Sequence, residues 1–189
     1  MRIGIFGGSF DPIHIGHAMI ASFLAQSGHV DEVWLMVSRR NPLKDDAEAS
    51  ESRRLQMAEL TAGSLRGVKV SDFEMSLPSP SYTYDTLKAL KNAFPDHEFK
   101  IIIGSDSFLN FNNWKNAGKI RDEFGVLVYP RPAFPLPSLS PEGFEFIEGM
   151  PVCGVSSTFL REKLRQGWNM NYFLPEAVAD FISKNKLYQ

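Results

Sequence analysis

Apolar and polar positions follow two alternating patterns along the chain. Apolar runs of strand length occupy residues 3–6, 32–37, 68–70, 99–103, 125–129 and 144–147. Between them, apolar residues at helical spacing predict helices from residue 15 to about 28 and over residues 51–65, 84–94, 115–123, 158–166 and 175–184. Strands that alternate with helices favour a mostly parallel sheet covered on both faces, with ligands at the carboxyl ends of the strands. The pattern therefore predicts one α/β domain, residues 1–189, with a Rossmann-like parallel sheet and a helical C-terminal part from about residue 156.

Prolines interrupt this rhythm once, between residues 130 and 141. The region contains Pro130, Pro132, Pro135, Pro137 and Pro141. Proline lacks a backbone N–H and fixes φ, so this segment cannot be a regular helix or an inner strand. We expect a rigid surface loop, and the alternative is a PxxP ligand for a partner domain at residues 132–135.

The composition excludes several classes of protein. The chain has 189 residues, 43% of them hydrophobic, which is enough for one well-packed domain. Its 20 basic and 22 acidic residues give a net charge of -2, so the bulk charge indicates neither a nucleic-acid nor a membrane partner. The single cysteine, Cys153, excludes an internal disulfide, and no apolar run approaches the ~18 residues of a membrane span. We therefore expect a cytoplasmic protein whose phosphate-binding site, if it has one, is local.

The first strand leads into the most informative stretch, residues 2–18. The apolar run ends at Gly7 and Gly8, which allow a sharp turn and a close approach to a ligand, and a helix N-terminus follows. Such an N-terminus offers free N–H groups and a positive dipole end to phosphate. His14 and His17 lie three residues apart in the expected first turn, where their ring N–H groups or positive charge could hold phosphate oxygens. Metal ligation and a purely structural role are the alternatives.

A second cluster, residues 155–161, has small hydroxyl residues before an amphipathic helix. Its simplest interpretation is an ordinary N-cap. Arg161 changes the balance, since an arginine in the first turn of a helix opposes the helix dipole. We therefore expect an anion next to Arg161.

These stretches resemble a known family over nearly the whole chain. The segment GGSFDPIHIGH, with His14-Ile15-Gly16-His17, resembles the signature of the nucleotidyltransferase superfamily that carries an H-x-G-H motif. Together with VSSTFLR at residues 155–161 and the ending YFLPEAVADFISKNKLY, it is similar to bacterial nicotinate-nucleotide adenylyltransferases. The resemblance implies adenylyl transfer from ATP to nicotinate mononucleotide in NAD biosynthesis, giving the deamido dinucleotide and pyrophosphate, with Mg²⁺ carried on ATP.

The resemblance also implies residue roles. The catalytic residues would be His14, His17, Lys44 and Arg161. The ATP contacts would be Gly7, Gly8, Ser9, Phe10, His17, Ser157, Thr158 and Arg161. The mononucleotide contacts would be Lys44, Thr83, Asp106, Trp114 and Lys115, and no residue would be a resident metal ligand. A solvated loop lysine is the alternative for Lys44, and core packing is the alternative for Trp114.

The chain departs from the family's pattern at three positions. Leu43 stands where the family often has the histidine of P-H-K, so no histidine role is carried over there. Val155 replaces an isoleucine, and Ser9 stands where relatives often have threonine, with the hydroxyl retained.

Two other functions compete with this prediction. A sister adenylyltransferase would use nicotinamide mononucleotide or pantetheine phosphate as its phosphate acceptor, and a non-catalytic module would bind ATP without turnover. The sequence shows no arrangement of nucleophile, base and orienting group, which suits a phosphate acceptor that is already ionised. It leaves a homo-oligomer open.

Overall fold

The computed structural model describes residues 1–39 and 48–189. Its strands are β1 (Arg2–Gly8), β2 (Glu32–Val37), β3 (Val68–Ser71), β4 (Glu98–Gly104), β5 (Val126–Tyr129) and β6 (Phe144–Phe146). Its helices are α1 (Ile15–Leu24), α2 (Glu51–Ala62), α3 (Thr83–Ala93), α4 (Ser105–Leu109), α5 (Ala117–Glu123), α6 (Ser157–Arg165) and α7 (Glu176–Lys184). Two 3-10 turns lie at Phe73–Ser76 and Phe111–Asn113.

All six strands form one parallel sheet in the order β3-β2-β1-β4-β5-β6. The chain runs outward from β1 to β3 on one side and from β4 to β6 on the other, so the order reverses between β1 and β4. In open parallel sheets, ligands bind outside the carboxyl ends of the strands at such a reversal. The predicted α/β fold with a Rossmann-like sheet is confirmed, and the topology directs attention to the loops that follow β1 and β4.

A separate apolar core lies on each face of the sheet, because neighbouring residues of a strand point to opposite faces. In β4, Ile102 packs into the core that contains α1, α2 and α7, whereas Ile101 and Ile103 pack into the core that contains α3 and α5. In β5, Leu127 likewise faces the first core. Strands covered on both faces are apolar on both sides, which explains why residues 35–37 of β2 and 101–103 of β4 are apolar without alternation.

Several boundaries differ from the sequence expectations. The helix α1 ends at Leu24 rather than near residue 28, and Gly28, with a φ of 83°, continues the chain in a left-handed turn. The short helix α4 starts directly at the end of β4 and was missed, since five residues carry too little periodicity to indicate a helix. Asn116, at a φ of 61°, delays the start of α5 to Ala117.

The proline-rich segment lies outside the helices and strands, apart from an isolated bridge between Arg131 and Phe134. Leu139 within it is 84% exposed. The expected surface loop is confirmed, and the PxxP alternative stays untested.

Within residues 1–39 and 48–189, every helix is too short or too polar to cross a bilayer.

Candidate active site

The loop after β1 turns at a different residue from the one the sequence indicates. Gly7 and Gly8 both continue β1, and the left-handed residue is Phe10, with a φ of 49°. A Cβ at Gly8 would lie 2.9 Å from Cε1 of Phe10, so Gly8 is needed to let the buried Phe10 ring fold back against the strand. The prediction of a sharp turn at the glycine pair is wrong, because both glycines are part of the strand. The absence of a side chain at Gly8 makes room for the Phe10 ring and not for a turn of the backbone.

His14 and His17 cap α1 reciprocally. His14 is the N-cap residue rather than part of the first turn, and its Nδ1 accepts the backbone N–H of Gly16 at 3.1 Å. The backbone N–H of His14 donates to Nδ1 of His17 at 3.3 Å. The two ring centroids lie 3.8 Å apart, with the ring planes tilted by 31°. Histidines in this arrangement replace the Ser and Glu of an ordinary capping box.

This cap determines what the two rings can offer to a ligand. A neutral imidazole carries a single N–H, so a ring whose Nδ1 accepts a hydrogen bond holds its proton on Nε2. His14 is 5% exposed. Burial, with the positive charge of Arg131, lowers the pKa of His14 to about 4. His14 is therefore neutral near pH 7. Of the two ways in which the sequence suggested that it could hold phosphate, the ring N–H remains and the positive charge does not.

The lowered pKa of His14 makes stability depend on pH. Since the unfolded chain binds this proton at a higher pH than the folded chain, the contribution of His14 is fully present above about pH 6.5 and is lost as the pH falls toward 4. We expect the free energy of unfolding to fall by about 3 kcal/mol more in the wild type than in His14→Asn over that range. Asparagine keeps a capping oxygen for Gly16 and does not titrate. Urea unfolding at pH 7 and pH 4 checks this, and equal losses in both proteins would contradict it.

The carbonyl oxygens of the loop are turned toward buried or half-buried donors of α2 and α6. The pairs are the Ser9 oxygen with Nη1 of Arg54 at 2.8 Å, the Asp11 oxygen with Nη1 of Arg161 at 2.7 Å, and the Pro12 oxygen with Oγ of Ser157 at 2.9 Å. The C=O and N–H of a trans peptide point in opposite directions. The N–H groups of Phe10 and Ile13 are therefore directed away from these donors.

The second predicted cluster approaches this loop, but one part of the expectation was wrong. Ser156 is the N-cap of α6, and its Oγ accepts the N–H of Phe159 at 3.2 Å. Because α6 begins at Ser157, Arg161 is its fifth residue and lies beyond the first turn, so the dipole argument does not apply to it. In the structure the Nε of Arg161 donates to Oε1 of Glu48 at 3.0 Å, so a carboxylate of the protein itself lies next to Arg161 and the expected ligand anion stays a prediction. Arg165 binds the same carboxylate oxygen, and Thr158 is exposed beside the cluster.

The predicted mononucleotide residues gather at the start of α3 and after β4. Thr83 is the first residue of α3. The Nζ of Lys115 lies 3.4 Å from Oδ2 of Asp85 and 4.0 Å from the ring centroid of Tyr82, which joins Lys115 to the start of α3. Trp114, half-buried, lies 5.4 Å from Phe111 at an interplanar angle of 38°.

Asp106 and Arg131 connect this group to the histidine pair. Asp106 lies in the first turn of α4, and its Oδ2 is 3.5 Å from Nη1 of Arg131. The positive charge of Arg131 also acts on His14. The buried Oδ1 of Asp106 has no hydrogen-bond partner among the described residues, which leaves an acceptor available to a ligand. A Cβ at Gly104 would lie 2.4 Å from this oxygen, so a glycine is required there.

Lys44 lies outside the described residues, so its predicted phosphate contact has no structural account.

Sequence reasoning missed Arg54, which is 1% exposed. Arg54 lies at helical spacing from Met57, Ala58 and Thr61, on the buried face of α2. The sequence could have indicated a functional or structural role for Arg54, because an arginine on a buried helix face needs hydrogen-bond acceptors.

Across residues 1–39 and 48–189, His, Cys, Asp and Glu do not come together in any group of three or more that could hold a metal ion.

Comparisons with known proteins connect this geometry to characterised families. Residues 5–163 match the family model described as cytidylyltransferase-like. A "Probable nicotinate-nucleotide adenylyltransferase" of Bacteroides fragilis is 43% identical over 94% of this chain and 89% of that protein. One of the same description from Flavobacterium johnsoniae is 36% identical over the full length of both chains. The solved structure of Plasmodium falciparum nicotinic acid mononucleotide adenylyltransferase complexed with NaAD covers 99% of this chain with a TM-score of 0.82, and at 23% identity it supports the fold.

Proposed function

The chain belongs to the nicotinate-nucleotide adenylyltransferases of the cytidylyltransferase-like family, and from that premise we propose how its residues transfer the adenylyl group of ATP to nicotinate mononucleotide. The products are the deamido dinucleotide and pyrophosphate. One observation carries the proposal for the site: Nδ1 of His14 in the H-x-G-H motif accepts the N–H of Gly16, which leaves the Nε2–H of this neutral ring as a donor at the phosphate-binding end of α1.

The reaction is a displacement at phosphorus. The 5′-phosphate of the mononucleotide attacks the α-phosphorus of ATP, one P–O bond forms, and the bond to pyrophosphate breaks. The attacking phosphate is already ionised, so no general base is needed, and His14, neutral near pH 7, acts as a hydrogen-bond donor. Positive charge and N–H donors placed where negative charge develops lower the barrier. Catalysis on this proposal is positioning and electrostatic stabilisation.

The triphosphate occupies the loop after β1 and the N-terminal part of α6. The chain between Gly7 and Phe10 offers backbone groups at the carboxyl end of a central strand, and the N–H of Phe10 is directed away from Arg54. Arg161 and Ser157 reach the same loop from α6. Ser9, His17 and Thr158 complete the proposed ATP contacts. Mg²⁺ arrives on the phosphates of ATP as part of the substrate.

The mononucleotide occupies the space beside β4. Trp114 offers a half-buried indole face for the pyridine ring, and Thr83 and the backbone N–H of Lys115 offer donors to its carboxylate. The unpaired Oδ1 of Asp106 offers an acceptor to a ribose hydroxyl. A phosphate contact of Lys44 and a cytoplasmic location remain predictions from the sequence.

Pyrophosphate release is the direct test. The protein is incubated with ATP, Mg²⁺ and, in turn, nicotinate mononucleotide, nicotinamide mononucleotide and pantetheine phosphate. We expect fast release with nicotinate mononucleotide. Fast release with pantetheine phosphate alone would identify a sister transferase, and tight ATP binding without release would identify a binding module.

Arg161→Ala is expected to raise the KM for ATP at least about tenfold, because a charge-assisted hydrogen bond to phosphate contributes about 1.5–3 kcal/mol. The KM for the mononucleotide should stay roughly unchanged, since Arg161 lies on α6 and not at the start of α3. Steady-state kinetics with each substrate varied in turn measures both constants. Arg165→Ala is the matched control, because Arg165 shares Glu48 but its side chain is 50% exposed. A rise in the mononucleotide KM alone would reverse the assignment of the two phosphate sites.

A further inference from the structure

Tyr188 connects the segment after α7 to the loop after β1. Its side chain is buried, with 6% of the residue exposed, and its hydroxyl donates to Oδ1 of Asp11 at 2.6 Å across 177 positions of sequence. None of the motifs in the sequence indicated this contact. Tyr188 thus binds the side chain of Asp11, and Arg161 binds the backbone carbonyl oxygen of the same residue.

Asp11 is a buried carboxylate with a defined set of donors. It is 2% exposed. Its Oδ2 accepts the N–H of Glu48 at 2.8 Å, and its Oδ1 accepts the N–H of Ala49 at 3.1 Å as well as the hydroxyl of Tyr188. A buried charge is costly unless donors surround it, so each of these contacts constrains where the Asp11 backbone can lie. The side chain thereby ties the loop to the start of α2 and to the segment after α7.

The hydroxyl of Tyr188 stays a donor over the pH range of a folded protein. Burial raises the pKa of Tyr188, and the adjacent carboxylate of Asp11 raises it further. The contact is therefore a stable O–H···O⁻ hydrogen bond, the short and strong type.

We propose that Tyr188 is a positioning residue for adenylyl transfer: by holding the Asp11 carboxylate, it fixes the loop from Ser9 to His14 that presents backbone N–H groups and the histidine cap to the phosphates. This rests on the proposed function. Misplacing a phosphate cradle by less than an ångström weakens stabilisation of the developing charge, and a positioning residue therefore changes turnover more than ground-state binding.

Tyr188→Phe removes only the hydroxyl and keeps the buried ring. We expect kcat to fall about tenfold, the equivalent of one charge-assisted hydrogen bond, with the KM for the mononucleotide roughly unchanged. Ile182→Val is the matched control, because Ile182 is 3% exposed on α7 and its truncation is a comparably small loss from the same part of the core that leaves the contact with Asp11 in place. Equal kcat values in the two variants at a temperature where both are folded would overturn the proposal.

A double-mutant cycle tests the route through Asp11. If the tyrosine acts through the carboxylate, Tyr188→Phe should have little further effect on kcat in an Asp11→Asn background. Two independent, multiplying effects would show that Tyr188 acts elsewhere and would overturn the proposal.

Amide hydrogen exchange provides a measurement that needs no substrate. Faster exchange over residues 9–14 and at Ala49 in Tyr188→Phe, but not in Ile182→Val, is the expected result. Unchanged exchange in Tyr188→Phe would overturn the tether. This measurement does not depend on whether Asp11→Asn folds. It also separates the two proposals. A wild type that is inactive with nicotinate mononucleotide overturns the proposed function, whereas hydrogen exchange shows whether Tyr188 holds the loop.

Discussion

Replacing His17 with alanine should lower turnover by about 10²–10³-fold, since losing one preorganised donor to a developing phosphate charge typically costs that much. The ring of His17 lies between the loop and the helix cap, 5.1 Å from the ring of Phe10. Its Nδ1 accepts the N–H of His14, so the alanine variant also loses part of the cap and about 1 kcal/mol of stability. Turnover and melting temperature are measured on the same preparation.

A second substitution separates these two losses. His17→Asn retains an acceptor close to the position of Nδ1 and removes only the Nε2 donor, so we expect its melting temperature to recover while its turnover stays low. His29→Ala is the control for histidine loss away from the site, because His29 lies before β2 and pairs with Glu145 on the edge strand β6. Near-normal turnover in His17→Asn would show that His17 only caps the helix and does not donate to the phosphates in the reaction.

Nicotinate mononucleotide should be preferred over nicotinamide mononucleotide by at least about 10²-fold in kcat/KM, a discrimination of roughly 3 kcal/mol. The two acceptors differ by a carboxylate against an amide. A site that offers only donors favours the acid, because the N–H groups of the amide would be left without acceptors. Thr83 and the Lys115 amide are the proposed donors to the carboxylate, while Asp106 pairs through Oδ2 with Arg131 and its Oδ1 is assigned to a ribose hydroxyl and not to the pyridine substituent. Initial rates of pyrophosphate release with each mononucleotide measure the ratio.

The indole of Trp114 should contribute to binding without contributing to this preference. Stacking does not distinguish the substituent of the pyridine ring, so Trp114→Ala should weaken both mononucleotides by the same factor. Trp168→Ala is the matched control, since Trp168 is 55% exposed and lies after α6. Equal kcat/KM for the two substrates in the wild type would instead indicate a dual-specificity enzyme.

The sheet could be predicted from the sequence because strands buried on both faces leave a continuous apolar run, as at residues 33–37 of the predicted strand 32–37, whose bounds the structure reproduces. Short elements could not. The helix α4 has five residues and follows β4 without a loop, so neither periodicity nor turn residues mark it. The end of α1 was placed too late, because apolar spacing continues past Leu24 while the chain has already left the helix.

The site was only partly readable from the sequence, since local motifs indicate residues and not their partners. The motif of His14 and His17 predicts phosphate binding, but the cap that fixes both tautomers appears only when the backbone is in place. The dipole argument for an anion at Arg161 did not hold, because α6 starts at Ser157, and the carboxylate of Glu48 that pairs with Arg161 was not foreseen. Tyr188 closes the ending YFLPEAVADFISKNKLY that supports the resemblance, but that segment does not indicate its partner, because the contact with Asp11 spans most of the chain.

The proposed phosphate loop after β1 and three of the side chains that hold it lie far apart in the order of synthesis. All six strands end by Phe146, whereas the donors from Ser157, Arg161 and Tyr188 that hold the loop come from later residues. Protein synthesis proceeds from the N-terminus, so a growing chain contains all six described strands before it contains Tyr188, the last of the donors to the Asp11 carboxylate. A translation product that stops after residue 147 would keep every strand and lack every one of these donors, and the nascent protein gains its complete nucleotide site only when the segment after α7 has been made.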